Sequence, residues 1–320
     1  MSSKRGNGSN GRKKSAPAKR PAKDLEEPPR RDLPVYGEFY TYQNMYRTDM
    51  QGRHALHRAA KRGDEERVKE LLGQGFNPIL YDIHGYTPLL IALNDCCEEA
   101  AQILIEEDCG INLPDKTGKY PLHVAANSGL EECVKLLLFM GANPHVLDNT
   151  GIYPLEEALS QLNHSRFVNV TKMILRMCAL KDIALDLKEM DVVRYKRDFC
   201  NSILAECRSE IQRMKEAKIK GSSISFFDIA TEDVAIVARY VQNKNILKVL
   251  NGSFETFPNY SDMIAYKVKR AKERRALTDQ WVECFTFKTR QFPKPCTDII
   301  SLHLSDRDMR SFITGVEFSH

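Results

Sequence analysis

The chain of 320 residues contains no uninterrupted apolar run of about 18 residues, so no transmembrane helix is expected. Its beginning is basic and polar, without the apolar stretch of a secretory signal, so export by that route is not expected either. The nine cysteines include no C-x-x-C pair, which leaves ribbon-type zinc sites and thioredoxin-like chemistry without a basis. Scattered and odd in number, they suit reduced thiols in a cytoplasmic or nuclear protein. Equally missing are a phosphate-binding loop in a strand–helix context, paired catalytic carboxylates and a His/Cys nucleophile arrangement at an interpretable spacing. Gly6 to Gly11 fits G-x-G-x-x-G, but it follows no strand pattern and opens no helix pattern. We therefore expect no catalytic residues, no metal and no cofactor.

Net positive charge is confined to the first residues. Residues 1–31 hold ten Lys/Arg against three acidic residues, a balance of +7 within a total of +4, so the remainder carries −3. A general nucleic-acid surface would need its basic residues on the folded part. Only Lys267, Lys269, Arg270, Lys272, Arg274 and Arg275 form such a run, and a solvated helix face explains it more simply. Residues 1–34 have the composition of a disordered tail. Arg12-Lys13-Lys14 with Lys19-Arg20 suits either a solvating tail or a nuclear import signal. Tyr36, Phe39, Tyr40, Tyr42 and Tyr46 fall in a segment, 35–48, expected to cap the region that follows.

What the chain does have is a period. Asp49, Asp82, Asp115 and Asp148 stand 33 residues apart, and each opens a near-copy of one phrase. Gly52, Gly85, Gly118 and Gly151 follow at the third position, as a tight turn demands. Pro88, Pro121 and Pro154 sit where a helix should begin, with φ preset and no amide proton to waste. Leu56, Leu89, Leu122 and Leu155, with Ala59, Ala92, Ala125 and Ala158, give an inner helix a small apolar face. Val68/Ala101/Val134 and Leu71/Leu104/Leu137 mark an outer helix. Such a period specifies a stacked solenoid, an architecture that argues for binding.

Thr87-Pro88-Leu89 and Pro121-Leu122-His123-Val124-Ala125 resemble the T-P-L-H-x-A core of the ankyrin repeat. The resemblance implies four repeats, 49–81, 82–114, 115–147 and an irregular 148–181, with His57 and His123 as structural hydrogen-bonders at helix starts. It also implies where a target protein would be held. The turn tips Met50, Gln51, Ile83, His84, Lys116, Thr117, Asn149 and Thr150 should project into solvent. The inner-helix ends Lys61, Arg62, Asn94, Asp95, Asn127 and Ser128 should line the concave face. Three irregularities are expected. The outer helix of the second repeat reads as two residues longer, and Asn94-Asp95-Cys96 stands where Gly63 and Gly129 close the neighbouring inner helices. In the fourth repeat the helix pattern resumes only at Met173-Ile174-Leu175.

Beyond about residue 182 the period ends. Phe199, Ile203, Cys207, Ile211 and Met214 form a stripe suited to one long helix, followed by short helices over Val234–Tyr240 and Ile246–Leu250 and a helix through Ala276. Cys207-x-x-Glu210-Ile211, Ser225-Phe226-Phe227-Asp228-Ile229 and Ala271-Lys272-Glu273-Arg274-Arg275 resemble the PRANC domain of poxviral, parasitoid-wasp and endosymbiont ankyrin proteins. That domain ends in a shortened F-box. Here Phe292-Pro293, Cys296, Ile300, His303-Leu304-Ser305 and Asp308-Met309 correspond, with Phe292 and His303 departing from the usual Leu and aromatic. The expected fold is thus all-α: an ankyrin solenoid with turn or hairpin tips, then a PRANC-like helical domain over 182–320 with its F-box-like end at 290–315.

By itself this end reads as helix, break and a short N-capped helix with Ser305 as cap. Docking on a partner and packing on its own domain are both open. The resemblance implies docking through Pro293, Cys296, Ile299, Ile300, Leu304, Asp308 and Met309 onto the Skp linker of a cullin–RING ubiquitin ligase. The expected function is then a substrate adaptor in the cytoplasm or nucleus. The alternative is a stoichiometric inhibitor or scaffold, for example one sequestering a Rel-type transcription factor, which would need only the solenoid.

Overall fold

Each 33-residue phrase folds as a turn, a short helix, a tight reversal and a second helix running back. A computed structural model describes residues 47–185, 187, 194–219, 222–252, 256–289, 300–301 and 303–317. The basic tail and all but the last two residues of the expected cap segment lie outside the described residues. The inner helices are α1 (Ala55–Arg62), α3 (Pro88–Asn94), α5 (Pro121–Ser128) and α7 (Pro154–Ser160). The outer helices are α2 (Glu65–Gly73), α4 (Glu98–Glu106), α6 (Glu131–Phe139) and α8 (Ser165–Leu180).

Local chemistry sets these boundaries. Proline opens α3, α5 and α7 at the first turn, and Thr87 Oγ1 accepts from the Leu90 N–H at 3.3 Å to cap α3. Paired glutamates occupy the first turns of α2, α4 and α6, where the helix dipole favours negative charge. Leu56, Leu89, Leu122 and Leu155 are buried, as are Leu71, Leu104 and Leu137. Each fully buried leucine contributes about 1.5–3 kcal/mol by leaving water. Together with the alanines they make a continuous stacked core.

Both irregularities expected of the second repeat take a different form. Its outer helix is not lengthened: α2, α4 and α6 all span nine residues. The difference lies in the turns. Gly63 and Gly129 end their inner helices in the left-handed region at φ 66° and 68°, and Gly75 and Gly141 follow their outer helices at φ 81° and 97°. In the second repeat Cys96, at φ 55°, and Asp108, at φ 53°, occupy these same positions. The Cβ of an L-residue is crowded there, at a cost of about 1–2 kcal/mol. The fourth repeat also differs, since α8 starts at Ser165 rather than near Met173 and runs for 16 residues.

The C-terminal part continues from the last repeat. Here α9 (Arg194–Glu216) packs along α8, burying Cys200, Ile203, Cys207, Ile211 and Met214. Short helices α10 (Phe226–Thr231), α11 (Val234–Tyr240) and α12 (Lys244–Gly252) lead to α13 (Ser261–Thr289). At 29 residues, α13 reaches well past Ala276. The last helix, α14 (Asp306–Glu317), has twelve residues rather than a short stub. Glu210, 1% exposed, is satisfied by Asn259, whose backbone N–H and Nδ2 donate to its two oxygens at 2.9 and 2.7 Å. Tyr260 donates its hydroxyl to the Arg176 carbonyl at 3.1 Å, tying the start of α13 to α8. Repeats and C-terminal helices thereby form one compact unit.

Relieving the crowding at Cys96 should be measurable. Cys96→Gly is expected to stabilise the protein by about 1 kcal/mol, seen as a raised midpoint in urea, since glycine adopts this φ without strain. Asp108→Gly should gain less, because aspartate tolerates the left-handed region better than cysteine.

Candidate protein-binding surfaces

The four tips are built by one device. In each, Oδ1 of the opening aspartate accepts the N–H groups two and four residues on. The pairs are Gln51 and Arg53 on Asp49 (2.8 and 2.9 Å) and His84 and Tyr86 on Asp82 (both 2.9 Å). On Asp115 they are Thr117 and Lys119 (2.8 and 2.9 Å), and on Asp148 they are Thr150 and Ile152 (2.8 and 3.0 Å). The glycine N–H returns to the aspartate carbonyl each time, closing the turn. Burial by itself raises the carboxyls of Asp82 and Asp148, but these N–H donors, with Arg53 at 3.3 Å from Asp82 and the Thr150 hydroxyl on Asp148, outweigh it and hold both low.

The carboxylate bends back onto its own turn, and the two residues after it face out. Met50, Gln51, Ile83, His84, Lys116, Thr117, Asn149 and Thr150 are all exposed, Met50 almost completely at 99%. They are not equally free. Thr117 and Thr150 donate their hydroxyls back to Asp115 and Asp148 at 2.7 and 2.6 Å. Lys116 donates to the Ile83 carbonyl of the preceding tip, and Asn149 Nδ2 to the Lys116 carbonyl at 3.1 Å. Successive tips also touch through backbone, Ile83 N–H to Gln51 at 3.0 Å and Asn149 N–H to Thr117 at 3.0 Å. A methyl at Gly118 would stand 2.6 Å from the Asn149 nitrogen, which restricts that position to glycine. Met50, Ile83 and the nearby Ile79 and Tyr81, 47% and 45% exposed, give the early repeats an apolar edge. At the other end of the inner helices Lys61, Arg62, Asn94, Asp95 and Asn127 are exposed and Ser128 half-buried. Gln161 of the fourth repeat already donates to the Asn127 carbonyl at 3.0 Å.

His57 and His123 are fully buried and carry no free nitrogen. Nδ1 of His57 accepts from the His54 N–H at 3.2 Å while Nε2 meets the Tyr86 carbonyl at 3.1 Å. His123 repeats this with the Tyr120 N–H at 3.2 Å and the Ile152 carbonyl at 3.0 Å. One nitrogen accepts and the other donates, so each ring must be neutral with its proton on Nε2. Each pins its own helix start and also reaches 29 residues onward, into the next repeat. At the equivalent position of the fourth repeat Glu156 takes over the first task, accepting the Tyr153 N–H at 2.8 Å.

The C-terminal end is held by a cluster absent from the sequence reading. Arg274, only 11% exposed at its side chain, pairs with Asp306 and donates to the carbonyls of Ser301 (3.2 Å) and Leu304 (2.7 Å). Arg270 adds a second contact to Asp306 at 3.4 Å. Part of the basic run on α13 thus turns inward, rather than forming a wholly solvated face. Lys269 does remain exposed. Ser305 caps α14 as expected, in a reciprocal box with Asp308 (N–H donated to Ser305 Oγ at 3.1 Å, Ser305 Oγ–H to Asp308 at 2.7 Å). Met309, expected as a docking contact, is fully buried against Thr278 and serves the core. Phe312 meets Trp281 and Phe285 at ring distances of 6.0 and 5.8 Å. Ile300 and Leu304 are half-buried and Asp308 exposed, while Pro293, Cys296 and Ile299 lie outside the described residues.

Among the described residues no helix is long and apolar enough to cross a membrane, and no three His, Cys, Asp or Glu converge as metal ligands would. The buried thiols of Cys133 and Cys178 are pushed up to about 12 by burial, so they pack as small apolar groups.

Set against known families, residues 56–148 and 94–176 match the model for ankyrin repeats, in three copies. No curated protein matches the chain. The fold is an all-α ankyrin solenoid continued by C-terminal helices, and ankyrin repeats are protein-binding modules.

Two outcomes follow from these sites. Burial lowers the pKa of His57 and His123 below the ordinary 6.5, so the unfolded chain binds protons that the folded one refuses. The stability they provide is complete above pH 6.5 and is lost as pH falls below it. Urea midpoints should drop from pH 7 to pH 5, and His123→Asn should flatten that drop while lowering stability at pH 7. Arg274→Ala should cost about 2 kcal/mol, because it leaves two carbonyls unpaired and Asp306 with Arg270 alone. Hydrogen exchange over 303–317 should then rise while the repeats stay protected.

Proposed function

We propose that this protein is a non-catalytic adaptor, with the tips and concave face of its ankyrin repeats holding a target protein. The observation that carries this reading is the contrast inside the first two tips: an internally satisfied turn beneath the exposed side chains of Met50, Gln51, Ile83 and His84. Exposed Met50 and Ile83 supply apolar anchors, Gln51 and His84 adaptable polar contacts, and the turn beneath them needs no ordering on binding.

The second half of the proposal is that the F-box-like end recruits the Skp linker of a cullin–RING ubiquitin ligase. Half-buried Ile300 and Leu304 and exposed Asp308 favour it, since they offer a partner both apolar and charged contacts. The burial of Met309 and the packing of half-buried Phe312 on α13 favour the alternative, a solenoid that simply sequesters its target, because they leave less apolar surface to share.

Proximity labelling with the intact protein identifies the target, and substitutions then separate the two halves. Met50→Asp with Ile83→Asp should weaken target capture at least tenfold with an unchanged melting temperature. Ile300→Asp with Leu304→Asp should abolish capture of the Skp linker and slow target turnover while leaving target binding intact. If the wild type captures no Skp linker and turnover ignores the second pair, sequestration is the function. If the first pair leaves target binding unchanged, the tips are not the binding surface.

A further inference from the structure

The inner-helix row is not uniform in charge. Three positions that recur every 33 residues read Arg58, Lys61 and Arg62 in the first repeat and Ile91, Asn94 and Asp95 in the second. In the third they are Val124, Asn127 and Ser128, and in the fourth Glu157, Ser160 and Gln161. The cations are thus confined to the first repeat. Spacings of three and four place all three on one side of α1, while Leu56, Ala59 and Ala60 are buried on the other. Lys61 and Arg62 are exposed, and neither makes an ion pair among the described residues. Half-buried Arg58 gives one guanidinium N–H to the Arg53 carbonyl at 2.9 Å, which orients it and leaves its other N–H groups for a carboxylate.

Helix stability does not call for these cations. A basic last turn complements the helix dipole, yet α3, α5 and α7 have none and form equally well. The outer helix of the same repeat handles its charge differently. On α2, Arg67 pairs with Glu70, and Lys69 with Glu65 and Glu66. No acidic residue stands on α1 to do the same. Beside this patch lie the apolar tips, where Met50 and Ile83 are exposed. From its tip end to Arg62, α1 runs eight residues, about 12 Å, a distance that about four residues of extended chain cover.

We propose, resting on the reading that the repeats hold a target protein, that the part held is an extended acidic segment crossing the first two repeats. An apolar side chain of the segment sits on Met50 and Ile83. Its carboxylates, about four or more residues away, meet Arg58, Lys61 and Arg62. Glu157 at the far end of the row disfavours such a segment there, so charge also sets where along the solenoid it lies.

The test pans phage-displayed random dodecapeptides on the immobilised full-length protein and on a Lys61→Asn, Arg62→Ser variant. That variant takes the third repeat's residues at these positions and should melt at the same temperature. Peptides selected by the wild type should be rich in Asp and Glu, with an apolar residue about four or more positions away. Synthetic copies should bind the variant at least tenfold more weakly, and the wild type at least tenfold more weakly at about 500 mM salt than at about 50 mM. Equal acidic enrichment by the variant overturns the site, because the basic residues 1–31 remain in both proteins. Tighter binding of an oligothymidylate than of the peptides, lost in the same variant, overturns a peptide ligand in favour of nucleic acid. Met50→Asp with Ile83→Asp separates this inference from the broader reading. If that pair weakens peptide capture and the Lys61, Arg62 pair does not, the tips hold a target without help from its charge; if neither does, both readings fall.

Discussion

Everything in the repeat half depends on keeping one backbone register for 33 residues at a time, and an aspartate carboxylate keeps it. Its Oδ1 takes two N–H groups of the following turn in all four copies, which fixes both the direction in which the chain enters the inner helix and the outward aim of the tip. The buried histidines extend that control between repeats. Because His57 and His123 bond a carbonyl 29 residues on, a helix start in one repeat is positioned by the turn of the next. The second repeat has Leu90 where its neighbours carry histidine and lacks this pin, and it also holds Cys96 and Asp108 in strained turns. Its inner helix compensates by burying every residue from Pro88 to Leu93. Regular stacking thus survives a locally poor sequence, because stability in a solenoid is shared with neighbours.

The repeat half was legible because its determinants are local or recur at a fixed offset. Asp, Gly, Pro and Leu each announce a backbone task at their own position, and four copies make the pattern hard to mistake. Misreadings arose where one residue type stood in for another. A cysteine in a glycine's conformation looks like an altered helix end, and Asn112, three residues before Asp115 where Asn77 and Asn143 stand five before Asp82 and Asp148, looks like the mark of a longer helix, although a left-handed residue stands at the same position of both turns. The C-terminal half was legible only as helices. Its tertiary contacts run through single long-range pairs, such as Arg274 with Ser301, Leu304 and Asp306, and no periodicity reports such pairs. Amphipathic spacing identifies Met309 as apolar but cannot say whether the neighbour it covers belongs to its own chain.

The join between the halves bears on what an adaptor can do. Target-holding tips and a C-terminal docking element serve proximity only if the distance between them is defined. Here Lys135 pairs with Asp262 at 3.5 Å, Phe139 meets Tyr266 at 5.3 Å, and Arg310 reaches Glu107 at 2.7 Å. The last of these ties α14 to the second repeat, a span of 203 residues along the chain. Exposed pairs of this kind contribute little energy one by one. Their value is geometric, since they add to the Tyr260 hydrogen bond with α8 in placing the C-terminal helices against the solenoid. A stiff join concentrates a docked partner at a set separation from the bound target, whereas a flexible one would dilute it over the volume its linker sweeps. The seam accordingly rests on several separate contacts, which set the C-terminal helices against the outer helices of the second and third repeats.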